Sequence, residues 1–169
     1  MRLWMILALL AGFANPAFAG PESLAGGESG STSARRSPAM AASAKIIKVL
    51  PSYLDREGRQ SISPSLYDRD AYQAHLRKTP QERSGIRFDV QWRSAERSPL
   101  KLRVEVRGGK GNELTQVVLE GTVGQTGFSK WTALTLSGDA YKKFGELAAW
   151  RATLWQGEKL VNEQKSFLW

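Results

Sequence analysis

His75 is the only histidine in the chain, so any site that uses a histidine as its general base would have to be built on this residue. Its carboxylate neighbours in sequence are Asp68 and Asp70. On a helix only Asp68 would share its face, two turns away and out of hydrogen-bond reach. The sequence also lacks the Gly-x-Ser-x-Gly turn that presents a nucleophilic serine. We therefore expect no enzyme activity. The alternative is a hydrolase with an unrecognised site, in which His75 would lie in a cleft with a buried carboxylate or serine.

Metal and phosphate sites are not expected either. The chain has no cysteine, which excludes a thiolate metal site, and a single histidine excludes a multi-histidine site. Asp68-Arg69-Asp70 begins like a calcium loop but lacks the glycine and the distal glutamate. The glycine-rich stretch 108–111 joins two predicted strands, whereas a phosphate-binding loop joins a strand to a helix. We expect no cofactor.

The basic residues are the first candidates for binding. The net charge is +8 and the isoelectric point is about 10.0, which favours an anionic partner. The segments 86–93 and 100–107 each alternate apolar and polar residues, so each predicts a strand with one buried face. We expect them to form a hairpin in which Arg87 faces Glu105 and Asp89 faces Arg103, since opposite charges pair well across strands. The outward cations left over are Arg93, Lys101 and Arg107. They could bind an anion or simply be solvated.

Tryptophan residues give a second candidate. Trp150 shares its side of the predicted strand with Ala152 and Leu154, so we expect it in the core. Trp155 would then point outward, on the side of Arg151. An outward Trp beside an Arg could stack on a sugar or a peptide, or could pack under the guanidinium. The predicted ligand-binding residues are therefore Arg93, Lys101, Arg107, Arg151 and Trp155.

The elements that position these residues are mostly strands. Six or seven strands with short turns, and one helix over Leu66–Lys78 capped by Ser65, predict an antiparallel all-β sandwich. The helix would pack through a stripe that contains Leu66, Tyr67 and Leu76. The apolar side chains of the two alternating segments are expected to lie in the core. They are Ile86, Phe88, Val90, Trp92, Leu102, Val104 and Val106.

The N-terminal region has the pattern of an export signal. Arg2, an apolar run and Ala17-Phe18-Ala19 predict a signal peptide over 1–19. Residues 20–44 are rich in Gly, Ser, Ala and Pro and predict a disordered linker. The β-sandwich domain would then cover 45–169. We expect a periplasmic or extracellular protein, cleaved near Ala19, with no transmembrane segment in the mature chain.

The segment Leu134-Thr-Leu-Ser-Gly-Asp-Ala-Tyr141, together with Ala149-Trp-Arg-Ala-Thr-Leu-Trp155, resembles the E–F corner and F strand of immunoglobulin-like and fibronectin type III-like sandwiches. Those families place a tyrosine at this corner whose hydroxyl bonds back to the backbone. The resemblance implies an immunoglobulin-like sandwich of about seven strands with a short helix inserted after the first. It implies no activity.

These patterns favour an exported, non-enzymatic binding or structural module of the cell envelope. Its partner would be an anionic glycan, a lipid headgroup or an envelope protein, and nucleic acid is not expected in that location. One alternative is an assembly subunit that docks through an exposed sheet edge. Another is a small outer-membrane barrel, suggested by Phe167 and Trp169 at the C-terminus, although too few strands of the required length remain.

Overall fold

The computed structural model describes residues 44–111 and 113–169. The predicted signal peptide, and the predicted linker up to residue 43, lie outside the described residues.

Within the described residues, seven strands form two antiparallel sheets, which agrees with the all-β class predicted from the alternation. Sheet A has the order β1-β2-β5 and sheet B the order β4-β3-β6-β7. The strands are β1 (Ala44–Leu54), β2 (Gly85–Ser94), β3 (Leu100–Lys110), β4 (Glu113–Val123), β5 (Thr126–Ser137), β6 (Glu146–Gln156) and β7 (Lys159–Lys165). The helices are α1 (Leu66–Lys78) and α2 (Gly138–Phe144), with a 3-10 turn at Pro80–Glu82.

The core draws side chains from both sheets. The seven core residues predicted from β2 and β3 are all at most 3% exposed, so that prediction is confirmed. Full burial of such a side chain is worth about 1.5–3 kcal/mol relative to exposure. Trp150, also expected inside, is half-buried and packs against this core. The inner faces of β2 and β3 therefore hold the two sheets together.

The predicted hairpin between β2 and β3 is wrong, because the two strands belong to different sheets. β2 pairs with β1 and β5, whereas β3 pairs with β4 and β6. The predicted charge pairs are consequently absent from these strands. Arg87 instead bonds Asp89 on its own strand, with Nη2 and Oδ1 2.8 Å apart. The alternation of apolar and polar residues specifies which face of each strand is buried. It does not specify the pairing, because the same faces are buried whether the two strands form a hairpin or lie in different sheets.

Helix α1 buries fewer of its apolar side chains against the sheets than its sequence predicts. Its first turn is capped by Ser65, whose hydroxyl accepts from the Asp68 N–H at 3.4 Å. Leu66 and Tyr67, expected to face the body, are exposed. Gln73 and Leu76 are the buried residues of the helix.

The side chain of Gln73 is buried against the outer edge of β1, where it forms hydrogen bonds with backbone groups of the strand. Its Oε1 accepts from the Tyr53 N–H at 2.8 Å, and its Nε2 donates to the Tyr53 carbonyl at 2.9 Å. Nearer the start of β1, the Ile46 N–H donates to Oδ1 of Asn162 at 2.9 Å. Pro51 lies between them and has no N–H to offer. This edge is therefore protected from pairing with another chain.

Arg83 joins three elements at the end of the sandwich where β1 finishes. Its Nη1 contacts both carboxylate oxygens of Glu146 at 2.8 and 2.7 Å. Its other nitrogens donate to the carbonyls of Leu76 and Arg77, the last turn of α1. The guanidinium also lies 4.1 Å from the ring centre of Tyr53. A buried charge this well paired serves to fix the helix to the sheets.

Candidate functional site

The five predicted ligand-binding residues lie on two different sheets. Lys101, Arg107, Arg151 and Trp155 are on β3 and β6 of sheet B, where Lys101 is directly opposite Trp155. Arg93 is on β2 of sheet A. The structure therefore brings four of them to one face and separates the fifth.

The cations of the sheet B face already have partners. Glu120 contacts Arg103 at 2.7 Å and Lys101 at 3.7 Å. Arg151 contacts the buried carboxylate of Glu105 at 2.5 Å. Charge on this face is therefore largely neutralised within the protein.

The C-terminal Trp169 covers the guanidinium group of Arg107 and also contacts that of Arg151. Its ring centre lies 3.9 Å from Cζ of Arg107 and 5.1 Å from Cζ of Arg151. Both groups are thus occupied by the chain's own aromatic ring.

Trp155 is likewise engaged in internal packing. Its indole N–H donates to the Thr153 hydroxyl at 2.8 Å, and Arg103 lies 5.7 Å from its ring centre. This geometry favours the packing interpretation of Trp155 over an open stacking platform.

Sheet A presents a different arrangement around Arg93. Lys45 of β1 is directly opposite Arg93, so two cations face each other across the ladder. In the next outward row Lys48 is opposite Gln91, and Gln91 is opposite Trp131 of β5. Directly opposite residues share a face with their Cβ atoms about 5 Å apart. The two rows are about 7 Å apart along the strands, since each residue advances the chain about 3.3 Å.

These cations have no carboxylate partner in the described part of the chain. Within residues 44–111 and 113–169, no salt bridge involves Lys45, Lys48 or Arg93. The next outward residue of β2 is Asp89, and it is bonded to Arg87. Like charges directly opposite each other are destabilising, so this arrangement costs stability when nothing is bound.

A bulge in β5 adds an exposed ring beside these cations. The β2–β5 register runs from Trp92 opposite Lys130 to Ser94 opposite Thr126, so residues 127–129 lie across from Arg93 alone. The Thr126 hydroxyl holds the bulge by donating to the Phe128 carbonyl at 2.6 Å. The Phe128 side chain is 85% exposed.

We call this group of residues the cation–aromatic patch. Its members are Lys45, Lys48, Gln91, Arg93, Phe128 and Trp131. Of these residues the sequence predicts only Arg93 as a ligand contact, because the alternation of the segment 86–93 puts it on the outward face. Regular alternation would put Lys45 and Lys48 on opposite faces of β1, and the bulge between Ile46 and Lys48 is what brings both of them outward. Trp131 could not be assigned to a face without the register of β5.

No family model, curated protein or solved structure matches this chain. The patch must therefore be interpreted from its own chemistry. Among the described residues, no cluster of three or more histidine, aspartate and glutamate side chains could hold a metal ion. The described helices include none that is both long and apolar enough to span a bilayer.

His75 lies in the last turns of α1, next to Glu82 of the 3-10 turn. Its Nε2 is 2.7 Å from Oε2 of Glu82, and the two side chains are 50% and 42% exposed. The ring stacks near Tyr72, with the ring centres 6.3 Å apart. The pair is solvent-exposed, and His75 also lines a shallow cavity of about 380 Å³ together with Ser63, Asp68 and Tyr72.

A groove of about 970 Å³ lies at the opposite end of the sandwich from the patch. Its lining includes Arg56, Arg83, Tyr141, Lys142 and Glu146. Burial raises the pKa of Tyr141, and the nearby Arg83 guanidinium partly offsets this. Arg83 is bonded to Glu146, and Lys142 lies 3.2 Å from Asp139. Arg56 has no ion-pair partner among the described residues and donates to a backbone carbonyl at 3.3 Å. Since the other three charged groups are paired, the groove offers fewer available charges to a ligand than the patch does.

Proposed function

We propose that this protein is an exported, non-enzymatic binding module that holds an anionic ligand on the outer face of sheet A. The observation that carries the proposal is the pairing of Lys45 directly opposite Arg93. Two like charges held together cost stability, and an anion between them would remove that cost. Lys48 adds a third cation one row away, and Trp131 adds a stacking surface.

The charge of the chain supports the same ligand class. The net charge is +8, and a ligand approaching the patch would meet no competing carboxylate in its two rows. Each cation near an anionic surface contributes about 1 kcal/mol, which is about a fivefold change in affinity. Three such cations would account for about a hundredfold.

Export remains part of the proposal on the strength of the N-terminal pattern. The apolar run after Arg2 and the small residues at Ala17 and Ala19 support a cleaved signal peptide. The ligand would then be met in the periplasm or outside the cell, where anionic glycans and lipid headgroups are available. This setting argues against nucleic acid as the partner.

The fold we propose is an immunoglobulin-like sandwich. The arrangement of three and four strands supports it if β1, β2 and β5 correspond to strands A, B and E and β4 corresponds to C′ beside strand C. Helix α2, which contains Tyr141, would then occupy the E–F corner. Tyr141 departs from the family pattern, because its neighbouring polar group is the Arg83 guanidinium.

If the protein is an assembly subunit, it would have to dock through a sheet edge other than that of β1. The edge of β1 is covered by Gln73 and Asn162, so the first-strand region is a poor docking edge. The β5 edge carries five consecutive exposed residues over 127–131. A constant molecular mass over a concentration series, measured by sedimentation, would argue against assembly through β5.

Heparin, a sulfated polysaccharide, is a suitable probe of the anion-binding proposal. The patch variant replaces Lys45, Lys48 and Arg93 with alanine. A matched control variant replaces Lys78, Lys142 and Lys143, which are exposed at the opposite end, so that both variants lose the same charge. We expect the patch variant to bind about a hundredfold more weakly than the control. Equal affinities of the two variants would refute the proposal.

A further inference from the structure

We infer that the anionic ligand is the headgroup surface of an anionic phospholipid bilayer, an inference that rests on the proposed function. The cations of the patch are bordered by exposed apolar side chains on both edge strands of sheet A. Phe128 is 85% exposed, Trp131 is 49% exposed and Ile47 is 40% exposed. Cations beside exposed aromatic and aliphatic groups are the composition by which proteins bind the membrane interface.

Two of these apolar side chains are exposed at β-bulges. Ile47 is the extra residue of the bulge in β1 between Ile46 and Lys48. Phe128 is the middle residue of the bulge in β5 that faces Arg93. Each bulge therefore presents an apolar side chain next to a cation, on either side of the central strand β2.

The polar groups of the patch fit a lipid surface better than a sugar chain. A saccharide site needs directed hydrogen-bonding groups beside the stacking ring. The side-chain amide of the patch belongs to Gln91, and its Nε2 already donates to the Ser129 hydroxyl at 3.1 Å. The Phe128 side chain has no polar atom. It can therefore be buried against lipid hydrocarbon, but it cannot form hydrogen bonds with the hydroxyl groups of a sugar. Trp131 suits the headgroup level, where indole rings are enriched.

Charge and apolar contact would act together at the bilayer. Each lysine or arginine near an anionic leaflet contributes about a fivefold gain in affinity. Insertion of the Phe128 ring would add about tenfold. The charged contribution requires anionic lipid, whereas the apolar contribution requires a bilayer and cannot be made by a soluble polyanion. Heparin and vesicles therefore report different parts of the patch.

The absence of cysteine allows a local test on the full chain. Phe128→Cys introduces a single thiol for an environment-sensitive dye at the patch. Leu114→Cys is the matched control, because Leu114 is 91% exposed and lies at the opposite end, at the start of β4. The probes are vesicles of phosphatidylcholine, vesicles of phosphatidylcholine mixed with phosphatidylglycerol, and heparin. A label reports its own surroundings, so membrane contact made elsewhere in the chain does not produce the signal.

We expect a blue shift of the dye at position 128 with the mixed vesicles, and none with phosphatidylcholine alone or with heparin. The dye at position 114 should shift with none of them. Phe128→Ser should weaken binding to the mixed vesicles about tenfold and leave heparin binding within about twofold. If positions 128 and 114 respond alike while heparin binding depends on the patch cations, the lipid inference is overturned and the proposed function stands. If heparin binding also ignores the patch cations, the proposed function itself fails.

Discussion

Lys45 and Arg93 lie directly opposite each other on the antiparallel strands β1 and β2. The strands thus keep two positive charges close together on an exposed face, where opposite charges would be more stable. We expect Lys45→Glu to raise the free energy of unfolding by about 0.5 kcal/mol, because it converts a repulsion into an attraction. The same change should weaken heparin binding by more than fivefold, because it removes one cation, worth about fivefold, and adds a carboxylate that repels the anion. Urea denaturation and equilibrium binding on one protein preparation would measure both effects.

The control for the gain in stability predicted for Lys45→Glu is Lys159→Glu, which makes the same change in net charge. Lys159 is opposite the neutral Gln156, so no like-charge pair is relieved there. Its free energy of unfolding should stay within about 0.3 kcal/mol of the parent. A Lys45→Glu protein that is no more stable than this control would argue against a stability cost at the patch.

Asp55 predicts an acid-dependent loss of stability. It accepts from the Arg59 N–H at 2.8 Å, from Arg59 Nε at 2.9 Å and from the Tyr72 hydroxyl at 2.8 Å. Burial by itself would raise its pKa, but these hydrogen bonds outweigh burial and hold the pKa below the ordinary 3.8. Its stabilising contribution is therefore complete above pH 3.8 and is lost as the pH falls through the lower value in the folded state.

We expect Asp55→Asn to lower the free energy of unfolding by about 2 kcal/mol at neutral pH. The difference from the parent should shrink as the pH falls below 3.8. Asp70→Asn is the matched control, since that side chain is 77% exposed and lies 3.6 Å from Arg69. Urea titrations of the three proteins over an acid pH series give the measurement. A pH-independent difference between Asp55→Asn and the parent would contradict the assignment.

Gln73 predicts a localised defect at the edge of β1. Gln73→Ala would leave the N–H and carbonyl of Tyr53 without the partners seen at 2.8 and 2.9 Å. We expect a loss of about 2 kcal/mol in unfolding free energy and faster amide hydrogen exchange at Tyr53. Gln81→Ala, on the neighbouring exposed turn, is the control and should change neither. Unaltered exchange at Tyr53 in the Gln73 variant would show that the edge is protected in another way.

The contact between Arg107 and Trp169 predicts a measurable coupling. The guanidinium lies 3.9 Å from the ring centre, so replacing either residue with alanine should remove the same interaction. A double-mutant cycle on unfolding free energy should give a coupling of about 0.5–1 kcal/mol. The same cycle for Lys101 and Trp169 should be additive, because Lys101 pairs with Glu120. Additivity in both cycles would mean that the tail does not hold Arg107 in solution.

The alternation in β2 and β3 was sufficient to predict their buried faces. Ile86, Phe88 and Val90 are buried as the period of two requires. The same alternation could not predict which strands pair, because a hairpin and a crossing between sheets bury the same side chains. That distinction depends on the contacts that β1, β5 and β6 make with these strands, which a local pattern does not contain.

The same limitation explains the partial success at the candidate site. Arg93 was predicted as an unneutralised cation, whereas its neighbour Lys45 became visible only through the β1–β2 register. Arg107 and Arg151 were predicted as ligand contacts, but Trp169 meets both from the far end of the chain. Contacts between residues distant in sequence therefore decided which cations remain available.

The salt dependence of heparin binding tests most directly the claim that the patch binds anions through Lys45, Lys48 and Arg93. The affinity of the parent protein should fall steeply as salt is raised, because exposed charges are screened over about 8 Å at physiological ionic strength. The variant with alanine at these three positions should bind weakly and show a much shallower dependence. If the affinity of the parent ignored salt, or if parent and variant gave the same slope, the patch would not be the anion-binding site.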